Sequence, residues 1–251
     1  MPSVLVTGGA KRIGASIVRR FAAEGWHVLV HYNRSAEAAQ ALAAGLPGAE
    51  TVQADLADVE AARMLVRSLA NRLEDWRALI CNASVFRADD VRSLDPAVNR
   101  EAMQVNAVTP MVMAQEYLLS ARSAAGRHVI QLTDQKLRNP NPDFFSYTMS
   151  KHAAAAGAQM LGMACHGADR VYSLAPGAIL PSHDQSTEEA SVSHRMNLLH
   201  RRTDAAEVAA AAYFLAQGTL SSGQALYVDS GQHLLAQQRD VLYLARGEDA
   251  L

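Results

Sequence analysis

Tyr147 and Lys151 stand four residues apart in the run Tyr147-Thr148-Met149-Ser150-Lys151, and Asp134 stands thirteen residues upstream. On a helix, residues i and i+4 share a face. An ammonium beside a phenol favours the phenolate, which makes Tyr147 a proton donor usable near neutral pH, with Lys151 lowering its pKa. Asp134 is a partner that can accept the phenol's hydrogen bond and help relay its proton. These residue types fit reduction of a polar double bond, in which hydride goes to carbon and a proton to the heteroatom.

Such a donor needs a hydride source, and the amino-terminal segment offers a place for one. An apolar run at 4–7 leads into Thr7-Gly8-Gly9-Ala10-Lys11-Arg12-Ile13-Gly14, and a helical stretch follows at once. Glycines let backbone approach a pyrophosphate, while the helix amino terminus supplies free N–H groups and a positive dipole end. Gly8, Lys11, Arg12, Ile13 and Gly14 are therefore candidate cofactor contacts. The second strand runs into His31-Tyr32-Asn33-Arg34-Ser35, with no acidic residue before Glu37. A site for NAD places a carboxylate here, on the ribose 2′-hydroxyl. A guanidinium and a hydroxyl suit a 2′-phosphate instead, so the expected cofactor is NADPH.

Further cofactor contacts are expected at Asp55 and Leu56 after the third strand, where Asp55 can accept from the adenine amino group. Asp55 and Asp58 are equal candidates to cap the next helix. Asn82-Ala83-Ser84 ends the fourth strand, beside the nicotinamide half, and Pro176 and Gly177 follow the sixth. Asn106 lies inside a long helical stretch with little intrinsic propensity for it. Buried, it needs partners, and it is expected to hold a structural water or to position Lys151.

The elements that position these residues alternate. Strand-like runs occur at 4–7, 27–31, 79–81, 128–132, 171–174 and 225–228, with a weaker one at 50–53. Helical stretches fall between them, at about 13–24, 36–44, 59–73, 100–123, 145–167 and 205–217. This order predicts βαβ units and an α/β fold: one Rossmann-type doubly wound parallel sheet of about seven strands, residues 1–251, flanked by helices. Two segments stand outside the rhythm. Residues 181–200 are polar, carry His183, His194 and His200, and are expected to form a lid over the carboxyl ends of the strands. The tail at 232–251 carries an apolar patch, Val241-Leu242-Tyr243-Leu244, that packs on a neighbouring subunit or on its own domain.

Composition narrows the classes. A formal net charge of −2 gives no basic footprint for nucleic acid. The cysteines, Cys81 and Cys165, lack metal-like spacing and suit a reducing cytoplasm. Strand-like residues from Ser3 leave no room for a signal peptide. The most apolar stretch, 205–216, is too short to cross a bilayer and contains Glu207. The lid histidines lack the i, i+4 spacing with a nearby carboxylate of a helical zinc site, so no metal is expected.

Together these residues resemble the short-chain dehydrogenase/reductase family, over about residues 4–231. Within it they are similar to the pteridine and dihydromonapterin reductases. Arg12 stands where most members have glycine, Asp134 where most have serine, and the 31–35 stretch resembles an NADPH 2′-phosphate signature. Asn82-Ala83-Ser84-Val85-Phe86 resembles the segment whose phenylalanine stacks on the pterin. The resemblance implies NADPH-dependent reduction of a dihydropterin or dihydrofolate, with Arg12, Ser84, Phe86, Asp134 and Tyr147 at the substrate. It also implies that Lys151 binds the nicotinamide ribose and that the Ala/Gly-rich helix at 145–167 lies in a homotetramer interface. Residues 136–145, the lid and the tail match the family pattern poorly. The competing readings are a ketone or 3-oxoacyl reductase and a non-catalytic NADPH-binding protein.

Overall fold

A computed structural model describes residues 1–182 and 185–248. In chain order its main elements are β1 (Ser3–Val6), α1 (Arg12–Ala23), β2 (His27–Tyr32), α2 (Ala36–Ala44), β3 (Ala49–Gln53), α3 (Val59–Arg72), β4 (Trp76–Cys81) and α4 (Pro96–Met103). There follow α5 (Thr109–Ser120), β5 (His128–Leu132), α6 (Phe145–Ala164), β6 (Arg170–Pro176), α7 (Thr187–Ser193), α8 (Ala205–Ala216), β7 (Ala225–Val228) and α9 (Val241–Ala245).

All neighbouring strands pair in parallel, in the order β3-β2-β1-β4-β5-β6-β7. Parallel strands need crossover helices, which cover both faces, so the central strands can be apolar along their length. Accordingly every residue of β1 and of β5 is buried. On one face Val4, Val28, Ile80 and Tyr172 pack against Ile17 and Phe21 of α1 and Val208 and Leu215 of α8. On the other, Leu5, Leu29 and Leu79 meet Val66 and Leu69 of α3 and Met113 and Tyr117 of α5. Strand order reverses between β1 and β4, and a crevice opens there at the carboxyl ends.

The seven strands and the alternation stand as expected, with ends shifted by a few residues. The stretch read as one helix at 100–123 does not. It begins earlier, at Pro96, where Asp95 accepts from the amides of Ala97 and Val98. It then widens into a π turn over Gln104–Val108 before α5 resumes with Pro110 in its first turn. Proline has no N–H to return to the preceding turn, and a π turn accommodates the defect. The segment expected to form a lid likewise contains the short helix α7, started by a capping box between Ser186 and Glu189.

Candidate functional site

The crevice is built by stitching the loop after β1 to the loop after β4. Thr7 Oγ1 accepts from the amides of Asn82 (2.9 Å) and Ala83 (3.0 Å). Asn82 Nδ2 donates back to Thr7 O (2.9 Å) and Gly8 O (3.2 Å). The helix that follows demands glycine: a Cβ on Gly14 would lie 2.2 Å from Gly8 O and 2.7 Å from Asn82 Nδ2. Gly8 itself has φ +61. Lys11 precedes α1 without a side-chain cap, and no acidic residue occupies the first turn. The amino end of the helix thus keeps its positive character towards the crevice.

Gly8, Lys11, Arg12, Ile13, Gly14, Asn82, Ala83, Ser84, Phe86, Asp134, Tyr147, Lys151, Pro176 and Gly177 all line one cavity of about 500 Å³. The structure therefore brings together the residues expected at phosphate, nicotinamide and substrate. At its centre Tyr147 Oη donates to Asp134 Oδ2 at 2.7 Å. Thr133 turns its hydroxyl to Leu174 O instead (3.3 Å), so the carboxylate is the phenol's partner. The other carboxylate oxygen accepts from the Lys136 amide at 2.9 Å. Lys151, one turn along α6, donates its ammonium to Leu132 O (2.9 Å) and lies 5.5 Å from the centre of the Tyr147 ring.

The electrostatics correct one expectation. Burial, reinforced by the Asp134 carboxylate, drives the Tyr147 phenol well above its ordinary range and outweighs the lowering expected from Lys151. Burial also raises the Asp134 carboxyl, against the hydrogen bonds from Lys136 and Tyr147. Burial pushes the Lys151 ammonium down to about 8, against the attraction of Asp134. Tyr147 thus keeps its proton and donates it in a hydrogen bond to Asp134.

Two further expectations are corrected by position, at His31 and Asn106, and Leu56 and Arg12 make contacts within the fold that spacing did not show. His31 is a clamp inside the fold: Gly8 N–H donates to its Nδ1 (3.1 Å), and Nε2–H donates to Ala54 O (3.1 Å). Both ring nitrogens are used, so none is left for a cofactor. Leu56 sends its side chain into the core. Asn106 contacts Val85 and Ser150 rather than Lys151, accepting from Val85 N (2.8 Å) and donating to Val85 O (2.9 Å) and Ser150 Oγ (3.0 Å). It fixes the loop after β4, which carries Phe86, onto α6. Arg12, at φ 55, donates its guanidinium to Pro181 O (2.9 Å) and Leu180 O (3.4 Å), tying the glycine loop to the segment after β6.

Tyr32, Asn33, Arg34, Ser35 and Asp55 lie beside the crevice but outside the cavity's lining. Asp55 accepts from Asn33 Nδ2 and Ala57 N, both at 3.0 Å. Asp58 is the cap of α3, accepting from Glu60 N and Ala61 N. Arg34 is exposed. Phe86 stacks on Phe144 at 4.2 Å and meets the Tyr147 ring edge-on at 4.7 Å. His183 lies outside the described residues. Among those described, no group of three His, Cys, Asp or Glu side chains is arranged to hold a metal.

Spacing alone missed Lys136, Phe144 and Asp240. Lys136 and Asp240 line the cavity. Lys136, two residues past Asp134, carried a positional hint; Asp240, more than a hundred residues along the chain, carried none.

The family model described as enoyl-(acyl carrier protein) reductase matches residues 8–233. The chain is a short-chain dehydrogenase/reductase. This reductase is 34% identical to the FolM alternative dihydrofolate reductase 1 of Brucella canis, solved in complex with NADP, with a TM-score of 0.86 over 95% of this chain and 96% of that one. It is 33% identical to the granaticin polyketide synthase ketoacyl reductase 2 of Streptomyces violaceoruber, over 93% of this chain and 97% of the relative. It is 25% identical to an Escherichia coli dihydromonapterin reductase, over 92% of this chain and 96% of the relative. Among the described residues, no helix is long and apolar enough to cross a membrane.

The His31 clamp gives the short-chain reductase an acid sensitivity. Burial lowers the imidazole from 6.5 to about 4, so the folded chain keeps it neutral while the unfolded chain takes a proton. Its contribution is complete above pH 6.5 and is lost as pH falls from there towards 4. Urea unfolding should show about 2–3 kcal/mol of this loss by pH 4.5. His31→Gln should lack that share, and an acid loss equal to wild type would contradict the clamp.

Proposed function

We propose that this short-chain reductase uses NADPH to reduce the C=N bond of a dihydropterin or dihydrofolate, with Tyr147 donating the proton. The observation that carries the reading is the Tyr147 Oη–H bond to the Asp134 carboxylate at 2.7 Å, inside the lined cavity. A hydroxyl in that place would suit a carbonyl substrate, because it can donate to a developing alkoxide. An ionised carboxylate repels an alkoxide and accepts from N–H groups, which pterins present at their amino and ring nitrogens. The reductases of dihydrofolate and dihydromonapterin among the relatives support the same substrate class.

The residues present fit a phosphorylated dinucleotide. Gly8 and Gly14 form a cradle that a Cβ at position 14 would fill, at the uncapped amino end of α1. Arg34 and Ser35, just past β2, would hold a 2′-phosphate, and the related Brucella reductase is an NADP complex. NADPH, when bound, supplies the hydride. Asn82, Ala83 and Ser84 would hold its nicotinamide half, Lys151 its ribose hydroxyls, and Asn33 and Asp55 its adenine half. Phe86, with one face on Phe144, has its other face for a flat heterocycle. Tyr147 gives its proton to the ring nitrogen, and Asp134 holds the phenol in place and accepts from the substrate's N–H edge. The Lys151 ammonium stabilises the phenolate that remains.

The ketoacyl reductase relative favours a second reading, reduction of a ketone or 3-oxoacyl group. NADPH oxidation with dihydropterins and dihydrofolate, run beside a ketone panel, separates the two. Dihydropterin turnover is expected, with kcat falling as pH rises through about 8, where Lys151 loses its charge. Turnover of ketones alone would overturn the pterin reading.

We also infer a homotetramer. Leu119 of α5 and Met160 and Met163 of α6 expose 82%, 64% and 80% of their surface, an apolar face suited to a second copy. Sedimentation at micromolar concentration should return the mass of four chains; a monomer would contradict it.

A further inference from the structure

The substrate side of the cavity is closed by segments that the tyrosine–lysine spacing does not involve. Asp240, Val241 and Leu242 of the tail line it together with Lys136. Lys136 is buried, and its ammonium reaches Asp240 Oδ2 (2.8 Å), Asn141 Oδ1 (3.0 Å) and Asp143 O (3.1 Å). Those three acceptors use all of its protons. Asp143 in turn pairs with Arg239 (2.9 Å) and accepts from Asp240 N (2.7 Å). Asn139 and Gln237 exchange hydrogen bonds at 3.0 and 2.9 Å. The tail is therefore fastened, largely out of water, to the turn that carries Asp134.

Buried ion pairs contribute little net stability, because desolvation offsets their attraction. Their placement is the informative part. The Lys136 amide holds one oxygen of Asp134, and its ammonium sits 5.1 Å from the Phe144 ring. Phe144 is held in the left-handed region (φ 52, ψ 49), stacked between Phe86 at 4.2 Å and Tyr243 of α9 at 6.0 Å. A lysine freed from the tail would be an unneutralised cation beside the carboxylate that partners Tyr147.

We propose that Asp240 is a positioning residue for the Asp134–Tyr147 pair: it holds the Lys136 ammonium on the tail side of the cavity, so that Asp134 keeps one oxygen for the Tyr147 hydroxyl. This rests on the proton-donor roles assigned above to Tyr147 and Asp134. The charged and titratable groups facing that pair are Lys136 on the turn after β5, Lys151 on α6 and Asp240 on the tail. Cys81 on β4 faces Lys151, and Lys11, Arg12 and His194 line the remainder of the cavity.

Asp240 also caps α9, accepting from Leu242 N at 3.0 Å. Asparagine caps equally well, so Asp240→Asn removes the charge and keeps the helix start. The readout is the acid limb of kcat, set by ionisation of Asp134, measured with whichever substrate the wild type reduces. In Asp240→Asn the freed cation should move the limb down by at least ~0.5 pH unit and lower kcat by about tenfold. Lys136→Met leaves the carboxylate unneutralised and should move the limb up. The double variant should return towards wild type. NADPH binding, followed by fluorescence, should stay within about twofold of wild type in all three, because the pair lies outside the glycine loop. Limbs that superimpose on wild type, or shifts of the same sign in both single variants, would overturn the role of Asp240. Should Asp240→Asn fail to fold, the direction of the Lys136→Met shift decides alone. A wild type that reduces only ketones would sink the pterin reading, and this test would then be run on the ketone.

Discussion

One carboxylate, at the end of a parallel strand, constrains everything around it. Asp134 leaves β5 on extended backbone into the cavity, half-buried, where its charge needs partners from the fold. The Tyr147 hydroxyl and the Lys136 amide supply one donor to each oxygen and leave lone pairs facing the cavity. Burial makes ionisation of each group costly, and each therefore depends on its neighbours for charge. Tyr147 keeps its proton, Asp134 is raised, and Lys151 falls to about 8. A cluster poised in this way is suited to moving a proton, since small changes in its surroundings alter which group holds it.

The sheet makes such burial affordable. Parallel strands covered on both faces present their carboxyl ends together, so Thr7, Asn82, Asp134 and Pro176 arrive at one edge from β1, β4, β5 and β6. Helix α6 then lays Tyr147 and Lys151 across that edge, one turn apart. The π turn ahead of α5 fits the same plan. By widening there, the helix presents Asn106 to Val85 and Ser150, which locks the loop bearing Phe86 against the helix bearing Tyr147.

Much of this was legible in the chain. Apolar runs and period-3.6 patterns identify strands and helices because burial acts on each element separately. Tyr147, Lys151 and the glycine loop are legible because their chemistry depends on local spacing. What failed depended on direction or on distance along the chain. His31 ends a strand where cofactor contacts occur, yet its ring turns inward to Gly8, and spacing carries no such information. Arg12 lines the cavity, but nothing in the spacing showed that its guanidinium also reaches the carbonyls of Leu180 and Pro181. Residues 136–145, the lid and the tail looked like unrelated departures from the family. They prove to be one assembly: Lys136 meets Asp240, Asp143 meets Arg239, and Arg246 of the tail pairs with Glu189 of the lid at 2.9 Å. Each departure matches another, which is why none was readable alone.

The central claim is that the carboxylate at position 134 selects the substrate class. Asp134→Ser tests it most directly, through kcat/KM for a dihydropterin and for a ketone measured side by side. The account predicts that the ratio of dihydropterin to ketone falls by at least ~100-fold, since a hydroxyl can donate to an alkoxide and cannot replace a carboxylate's acceptors. A ratio unchanged from wild type would contradict it.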